Sequence, residues 1–162
     1  MDNQTVSLSA RLGELLLNRH ATVTCAESCT GGGIASAITG IPGSSQWFQL
    51  GLVTYANSAK QQLLRLSPDV LAAEGAVSEV VVIEMARAVL ALADADISVA
   101  VSGVAGPDGG TEAKPVGTVW FGWMLRDGFP VARCFRFPGD RAAVRTAAVQ
   151  QALLGLIELL EN

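Results

Sequence analysis

The chain has 162 residues, half of them hydrophobic, with eleven basic and fifteen acidic side chains and a net charge of −4. That length fits one domain, residues 1–162, with a sizeable buried core, and that composition excludes a disordered chain. No basic patch is visible along the sequence, no apolar run reaches the length of a membrane span, and the polar, mildly acidic N-terminus is unlike a signal peptide, so neither a nucleic-acid partner nor a membrane is expected.

Val6, Leu8, Leu12, Leu15 and Leu16 recur at helical spacing and predict a helix over residues 5–19. Residues 22–26 form an apolar run that reads as a strand, and residues 31–39 as a short, small-residue helix able to pack close to a sheet. Ile41 to Ser45 reads as a turn, with Trp47 and Phe48 in the core or a pocket wall. Leu50 to Tyr55 predicts the next strand and Ser58 to Leu64 a helix, with Pro68 opening a further turn. Ser78 suits the N-cap of a helix over Val81 to Ala91. Ile97 to Val101 is a short apolar strand, followed by a Gly/Pro-rich loop through Pro115. Val116 to Trp123 and Pro130 to Phe137 read as strands joined by a hairpin turn at Arg126-Asp127-Gly128. Asp140 caps a last helix with Val144, Ala148, Leu153, Leu156, Ile157 and Leu160 as its buried stripe. This order predicts a layered α/β/α domain with a mixed sheet and helices on both faces.

The three cysteines, Cys25, Cys29 and Cys134, are an odd number in a chain that needs no staples, which favours reduced thiols and a cytoplasmic setting. With only His20 near the first two, a zinc site has poor material. Cys25 reads as a buried thiol. Cys29 neighbours a helix start, where a thiolate is stabilised, so it stays open as a nucleophile.

The densest chemistry lies at Glu27-Ser28-Cys29-Thr30-Gly31-Gly32-Gly33, where a strand runs into a glycine-rich helix start. Such a junction offers a hydroxyl at Ser28 and free backbone N–H groups around Thr30, Gly31 and Gly32, which suits a nucleophile or an anion cradle; equally, the serine and glycines can serve only a helix cap and tight turn. The run lacks the lysine of a P-loop and is not G-x-S-x-G. His20 is the single histidine, so a serine–histidine triad has little to draw on. The alternative base is a lysine, and there are two, Lys60 and Lys114. Tyr55 closes its strand and Lys60 follows five residues later, so Ser28, Tyr55 and Lys60 can meet at one sheet edge, with a desolvated lysine as base and the tyrosine hydroxyl relaying the proton or fixing the lysine.

The loop from Ser102 and Gly103 through Gly106 to Thr111 also begins at a strand end, and its small residues let backbone N–H groups approach a ligand. Asp108 and Glu112 are possible metal ligands, but Lys114 lies close and no histidine helps, so metal-free chemistry is favoured. Ser44 and Ser45 either donate into the cleft or shape their turn. Arg141 and Arg145, four apart on one helical face, suit a phosphate or a carboxylate. Trp120 and Trp123 face opposite sides of a strand. An exposed Trp123 or Phe129 on the hairpin would mark an interface.

These segments, together with Gly43-Ser44-Ser45-Gln46-Trp47-Phe48, Val53 to Lys60, Gly75 to Glu79, Ser102 to Gly110 and Lys114 to Trp120, resemble the CinA C-terminal domain family over nearly the whole chain, from about residue 6 to the last helix. The stretch Arg136-Phe137-Pro138-Gly139 departs from the family pattern, so the arginines after it carry over less directly. Stand-alone members are nicotinamide-nucleotide amidohydrolases. The resemblance implies hydrolysis of the carboxamide of nicotinamide mononucleotide to nicotinate mononucleotide and ammonia, with no cofactor. It implies Ser28 as nucleophile, Lys60 as base and Tyr55 beside them, and a homodimer or larger homo-oligomer. Two other readings stay in view: a non-catalytic nucleotide-binding or regulatory domain, which the family's link to competence and DNA damage suggests, and a peptidase-like Ser–Lys enzyme, which lacks Ser-x-x-Lys spacing at Ser28.

Overall fold

The apolar segments assemble into one five-stranded sheet in the computed structural model, which describes residues 1–162. The strands are β1 (Val23–Glu27), β2 (Phe48–Val53), β3 (Ile97–Gly103), β4 (Thr118–Leu125) and β5 (Val131–Arg136), in the spatial order β2-β1-β3-β4-β5. β1 pairs in parallel with β2 and β3, and β4 and β5 extend the sheet antiparallel. The helices are α1 (Asn3–Arg19), α2 (Gly33–Thr39), α3 (Asn57–Leu64), α4 (Pro68–Glu74), α5 (Glu79–Ala93) and α6 (Arg141–Glu161). This is the mixed α/β/α sandwich expected from the sequence.

The two-residue period of a strand divides the core into two. Val23 and Cys25 of β1, and Ile97, Val99 and Val101 of β3, join the large core with α1, α2 and α6. Ala26 and Ala100 face the other way, into a smaller core with α4 and α5. β1 needs apolar residues on both faces because it is central, and all five of its residues are buried.

The chain leaves β1 through α2 to reach β2 on one side, then crosses back over β1 through α3, α4 and α5 to β3 on the other. That reversal makes a topological switch point, where the segments leaving β1 and β3 part and open a crevice at the strands' C-terminal ends.

Several elements differ from the sequence expectation. Pro68 opens α4, not a turn: it stands at the first helical position, where its missing N–H costs nothing, and Ser67 caps the helix from Val70 N–H. α2 begins two residues late because Gly31 and Gly32 hold φ of 58° and 99°, outside the right-handed helical region. β2 begins at Phe48, two residues early, in register with Val23. α6 is a 21-residue helix with a window of mean hydropathy 1.3, so one segment does reach membrane-spanning length. Half of that window is buried within the domain, and exposed ion pairs tie Arg11 to Glu161 and Arg133 to Glu158.

Trp123 is buried, stacked on Phe121 and donating its indole N–H to the Ala152 carbonyl at 3.1 Å. Trp120 is half-buried on the opposite face. Phe129, beside the hairpin turn, is 93% exposed.

Candidate active site

Register places Ser28. Glu27 lies opposite Val53 of β2 and Val101 of β3. The ladder continues one step through Ser28 N–H to Val101 O and Thr54 N–H to Glu27 O. Ser28 therefore stands between Thr54 and Ser102, three hydroxyl residues in a row across the parallel strands. Alternation turns them toward the α3–α5 layer, whereas Glu27 faces α2. All three are buried; Ser28 is 9% exposed, and the Thr54 hydroxyl has no hydrogen-bond partner.

Lys60 rises from α3 into this row. It is 1% exposed, and its three partners are neutral oxygens: Thr54 O at 2.7 Å, Ser28 Oγ at 3.0 Å and Tyr55 O at 3.1 Å. Burial pushes the ammonium below the ordinary lysine range; a Cys29 thiolate would oppose that shift. Cys29 does not supply the charge, because burial pushes its own thiol up to about 11, past the opposing pull of Arg145 and Lys60. Cys29 is thus a neutral, buried thiol, and the thiolate reading of this position is set aside.

A neutral lysine amine has two N–H donors and one lone pair. As the atoms stand, Nζ donates to both carbonyls and to Ser28 Oγ, and the Ser28 hydroxyl donates in turn to Tyr55 O at 3.5 Å. Once the amine is neutral, the two carbonyls can take its two donors and leave the lone pair for Ser28. The tyrosine contribution differs from the expectation. Lys60 is held by the Tyr55 carbonyl, while the phenol, on a 57% exposed side chain, accepts from Arg141 Nη2 at 2.9 Å.

The glycine-rich turn is braced from two sides. The Glu27 carboxylate, fully buried, accepts from Thr30 Oγ1 at 2.6 Å, Ile34 N at 2.8 Å and Ala35 N at 3.0 Å. Arg145 donates from Nε to Cys29 O at 3.2 Å and from Nη2 to Thr30 O at 3.1 Å. Gly31 and Gly33 spend their N–H groups on Ser28 O and Thr30 O, so those of Cys29 and Thr30 remain the unpaired donors next to Ser28. The Thr30 hydroxyl is turned to Glu27, which leaves its backbone N–H as the group facing the Ser28 side. Gly32 supplies the left-handed bend that starts α2.

Ser28, Cys29, Tyr55, Gly103, Val104, Ala105, Gly106, Asp108, Gly109 and Arg141 enclose a pocket of about 290 Å³. A second hollow of about 490 Å³ adjoins it, sharing Ala105 and Arg141. Arg141 spans the mouth, donating from Nη1 to Gly106 O at 2.9 Å as well as to Tyr55. It has no carboxylate partner, whereas Arg145 is committed to the turn. Of the two candidate phosphate-binding arginines, Arg141 is the one in the pocket wall. Ser102 lies in the row beside Ser28, behind that wall.

Ser44 and Ser45 are not brought to this site. They form a 3-10 turn before β2, at the N-terminal ends of the parallel strands. A six-residue strand, roughly 20 Å, separates them from Ser28. Nor do three His, Cys, Asp or Glu side chains converge anywhere on a metal-binding point. The sequence reading gave no role to Glu27 or Thr54. A carboxylate closing an otherwise apolar strand was the available signal for the first; register, which is tertiary, decides the second.

Comparison with known proteins agrees with this architecture. The CinA C-terminal domain matches residues 5–160. A nicotinamide-nucleotide amidohydrolase PncC of Pseudomonas putida is 55% identical, covering 94% of this chain and 95% of its own length. The protein of the same name from Escherichia coli K12 is 53% identical, covering 94% and 92%. Among solved structures, the competence damage-inducible protein A of Klebsiella pneumoniae superposes with a TM-score of 0.95 at 42% identity, covering 99% of each chain. The competence/damage inducible protein CihA of Agrobacterium tumefaciens gives 0.96 at 37% identity, covering 100% of this chain and 98% of that one. Together with the sheet order and the Ser28 junction, these matches establish that the chain belongs to the CinA C-terminal domain family.

Proposed function

We propose that this protein hydrolyses the carboxamide of nicotinamide mononucleotide to nicotinate mononucleotide and ammonia, through Ser28 with Lys60 as base. The observation that carries the chemistry is the 3.0 Å contact between a buried lysine with no carboxylate partner and the serine at the switch point. The substrate class rests on the relatives that bear the amidohydrolase name at over 50% identity across most of the chain.

The steps follow from the groups present. Ser28 Oγ attacks the amide carbon as its proton passes to the Lys60 lone pair. The carbonyl oxygen becomes an oxyanion, stabilised by unpaired backbone N–H groups beside it. The C–N bond breaks, and Lys60 returns the proton to the departing nitrogen, releasing ammonia and leaving an ester on Ser28. Water then attacks the ester and gives one proton to Lys60, which returns it to the departing Ser28 oxygen. The acid product loses its other proton to the released ammonia or to solvent and leaves as the carboxylate. Arg141 serves the anionic phosphate at the mouth. Asp108, the carboxylate of the pocket wall, faces a substrate whose pyridinium ring is cationic.

The test is ammonia release from nicotinamide mononucleotide by the purified protein and by Ser28→Ala. Turnover by the parent and its loss in a folded variant is the expected result. Binding of the nucleotide without ammonia release would instead favour the regulatory-domain reading.

A further inference from the structure

We infer that Glu27 is a positioning residue for this reaction, holding the turn so that the N–H groups of Cys29 and Thr30 face the oxyanion, with Arg145 fixing the Thr30 peptide and the Gly31 N–H to Ser28 O fixing that of Cys29. This inference rests on the amidohydrolase reading above.

A carboxylate with no exposure is costly unless its oxygens are saturated by donors. Glu27 has no basic partner. Its Oε1 accepts from Thr30 Oγ1 and Ile34 N, and its Oε2 from Ala35 N and, at 3.8 Å, from the Cys25 thiol. These bonds tie the end of β1, the middle of the turn and the first turn of α2 to one rigid group. Glu27 is also the residue before Ser28, and on the opposite face of the sheet. The side chain that orders the turn thus lies behind the nucleophile and makes no contact with the pocket.

Arg145 completes the constraint from α6. It pulls the Cys29 and Thr30 carbonyls toward itself. A trans peptide sets its N–H antiparallel to its C=O. The Thr30 N–H, which shares a peptide with the Cys29 carbonyl, therefore points away from Arg145. It donates to no protein acceptor, and neither does the Cys29 N–H. The Gly31 and Gly33 N–H groups are consumed internally, and the Gly32 N–H, also without an acceptor, lies further along the turn from Ser28. Two free donors directly following a nucleophile suit a developing oxyanion, but only while the turn keeps its shape.

The substitution Glu27→Gln keeps the volume and places an amide donor against one of the N–H or O–H groups that Glu27 now accepts from. Thr30→Val removes a single bond of the same set and covers the case in which Glu27→Gln does not fold. Both are compared with the parent by kcat, KM and the pH profile of ammonia release, with circular dichroism and thermal melting as controls. The expected result for Glu27→Gln is kcat lower by ten- to a hundredfold per folded molecule, with KM and the pH midpoint unchanged. Thr30→Val should lose kcat several-fold in the same pattern. Folded variants that keep kcat within twofold of an active parent overturn the inference alone, as does a loss recovered at high pH, which would place the effect on Lys60. A parent that releases no ammonia overturns the amidohydrolase reading and this inference with it.

Discussion

Lys60 Nζ lies 3.0 Å from Ser28 Oγ while Thr54 O and Tyr55 O occupy its other hydrogen-bonding directions. The amine is therefore aimed, as well as desolvated. Three neutral oxygens, from the ends of β1 and β2, hold it. Replacing Lys60 by Met should lower kcat at least a thousandfold, as should Ser28→Ala, and the double variant should lose little more, because the two groups act as one unit. Steady-state ammonia release on all three variants checks this; strictly multiplicative losses would contradict a shared step.

The pH dependence follows from burial. Lys60 is depressed below its ordinary 10.5, and in the proposed mechanism the neutral amine is the working form. Turnover should rise with pH through the folded pKa to a plateau, with a midpoint below 10.5. The unfolded chain binds the extra proton between the folded pKa and 10.5, so stability also rises with pH across that window and is lost as pH falls through the folded value. Lys60→Arg, which cannot deprotonate, should be inactive throughout. A pH–rate profile in the parent that is flat, or that falls over this range, would rule out Lys60 as base.

Cys29 should prove dispensable for chemistry. Its thiol titrates near 11 because it is buried, so little thiolate exists at neutral pH. Cys29→Ala keeps the backbone N–H and should retain activity within about threefold, while costing roughly 1 kcal/mol of stability for the lost packing. Iodoacetamide at neutral pH should label Cys134, which is exposed, well before Cys29. Rapid inactivation through Cys29 would return it to candidacy as nucleophile.

The Tyr55 phenol belongs to the mouth of the pocket. Tyr55→Phe leaves the carbonyl on Lys60 in place and removes the acceptor of Arg141 Nη2. A charge-assisted hydrogen bond of about 1.5–3 kcal/mol is lost from the mouth, so KM should rise roughly tenfold with the pH midpoint unmoved. Arg141→Met should raise KM further. A shift in the pH midpoint of Tyr55→Phe would instead put the hydroxyl in the proton path.

Stability has its own test far from the site. Gly155 on α6 lies against the Trp123 indole, and a methyl group there would collide with the ring. Gly155→Ala should destabilise the fold by about 1–3 kcal/mol despite its better helix propensity, with kcat per folded molecule unchanged. Thermal melting alongside ammonia release separates the two quantities.

Much of this protein is determined by sequence alone, because its signals are local. Hydrophobic period gave the five strands and every helix but α4, Asp140 and Ser78 cap α6 and α5 as read, and a single histidine against two lysines points away from a triad and toward Ser28 with Lys60. Tertiary structure decided the rest, because it depends on which ends of which strands adjoin. Parallel pairing carried Ser44 and Ser45 to the far end of the sheet. It set Thr54 and Ser102 beside Ser28, and turned the Tyr55 phenol to Arg141 while giving its carbonyl to Lys60. It also separated two arginines that look equivalent on one helical face: a single turn of α6 leaves Arg141 at the pocket and sends Arg145 to the carbonyls of the glycine-rich turn. No linear pattern encodes those distances; they arise from the register of β1 with its two neighbours and from the packing of α6 across them.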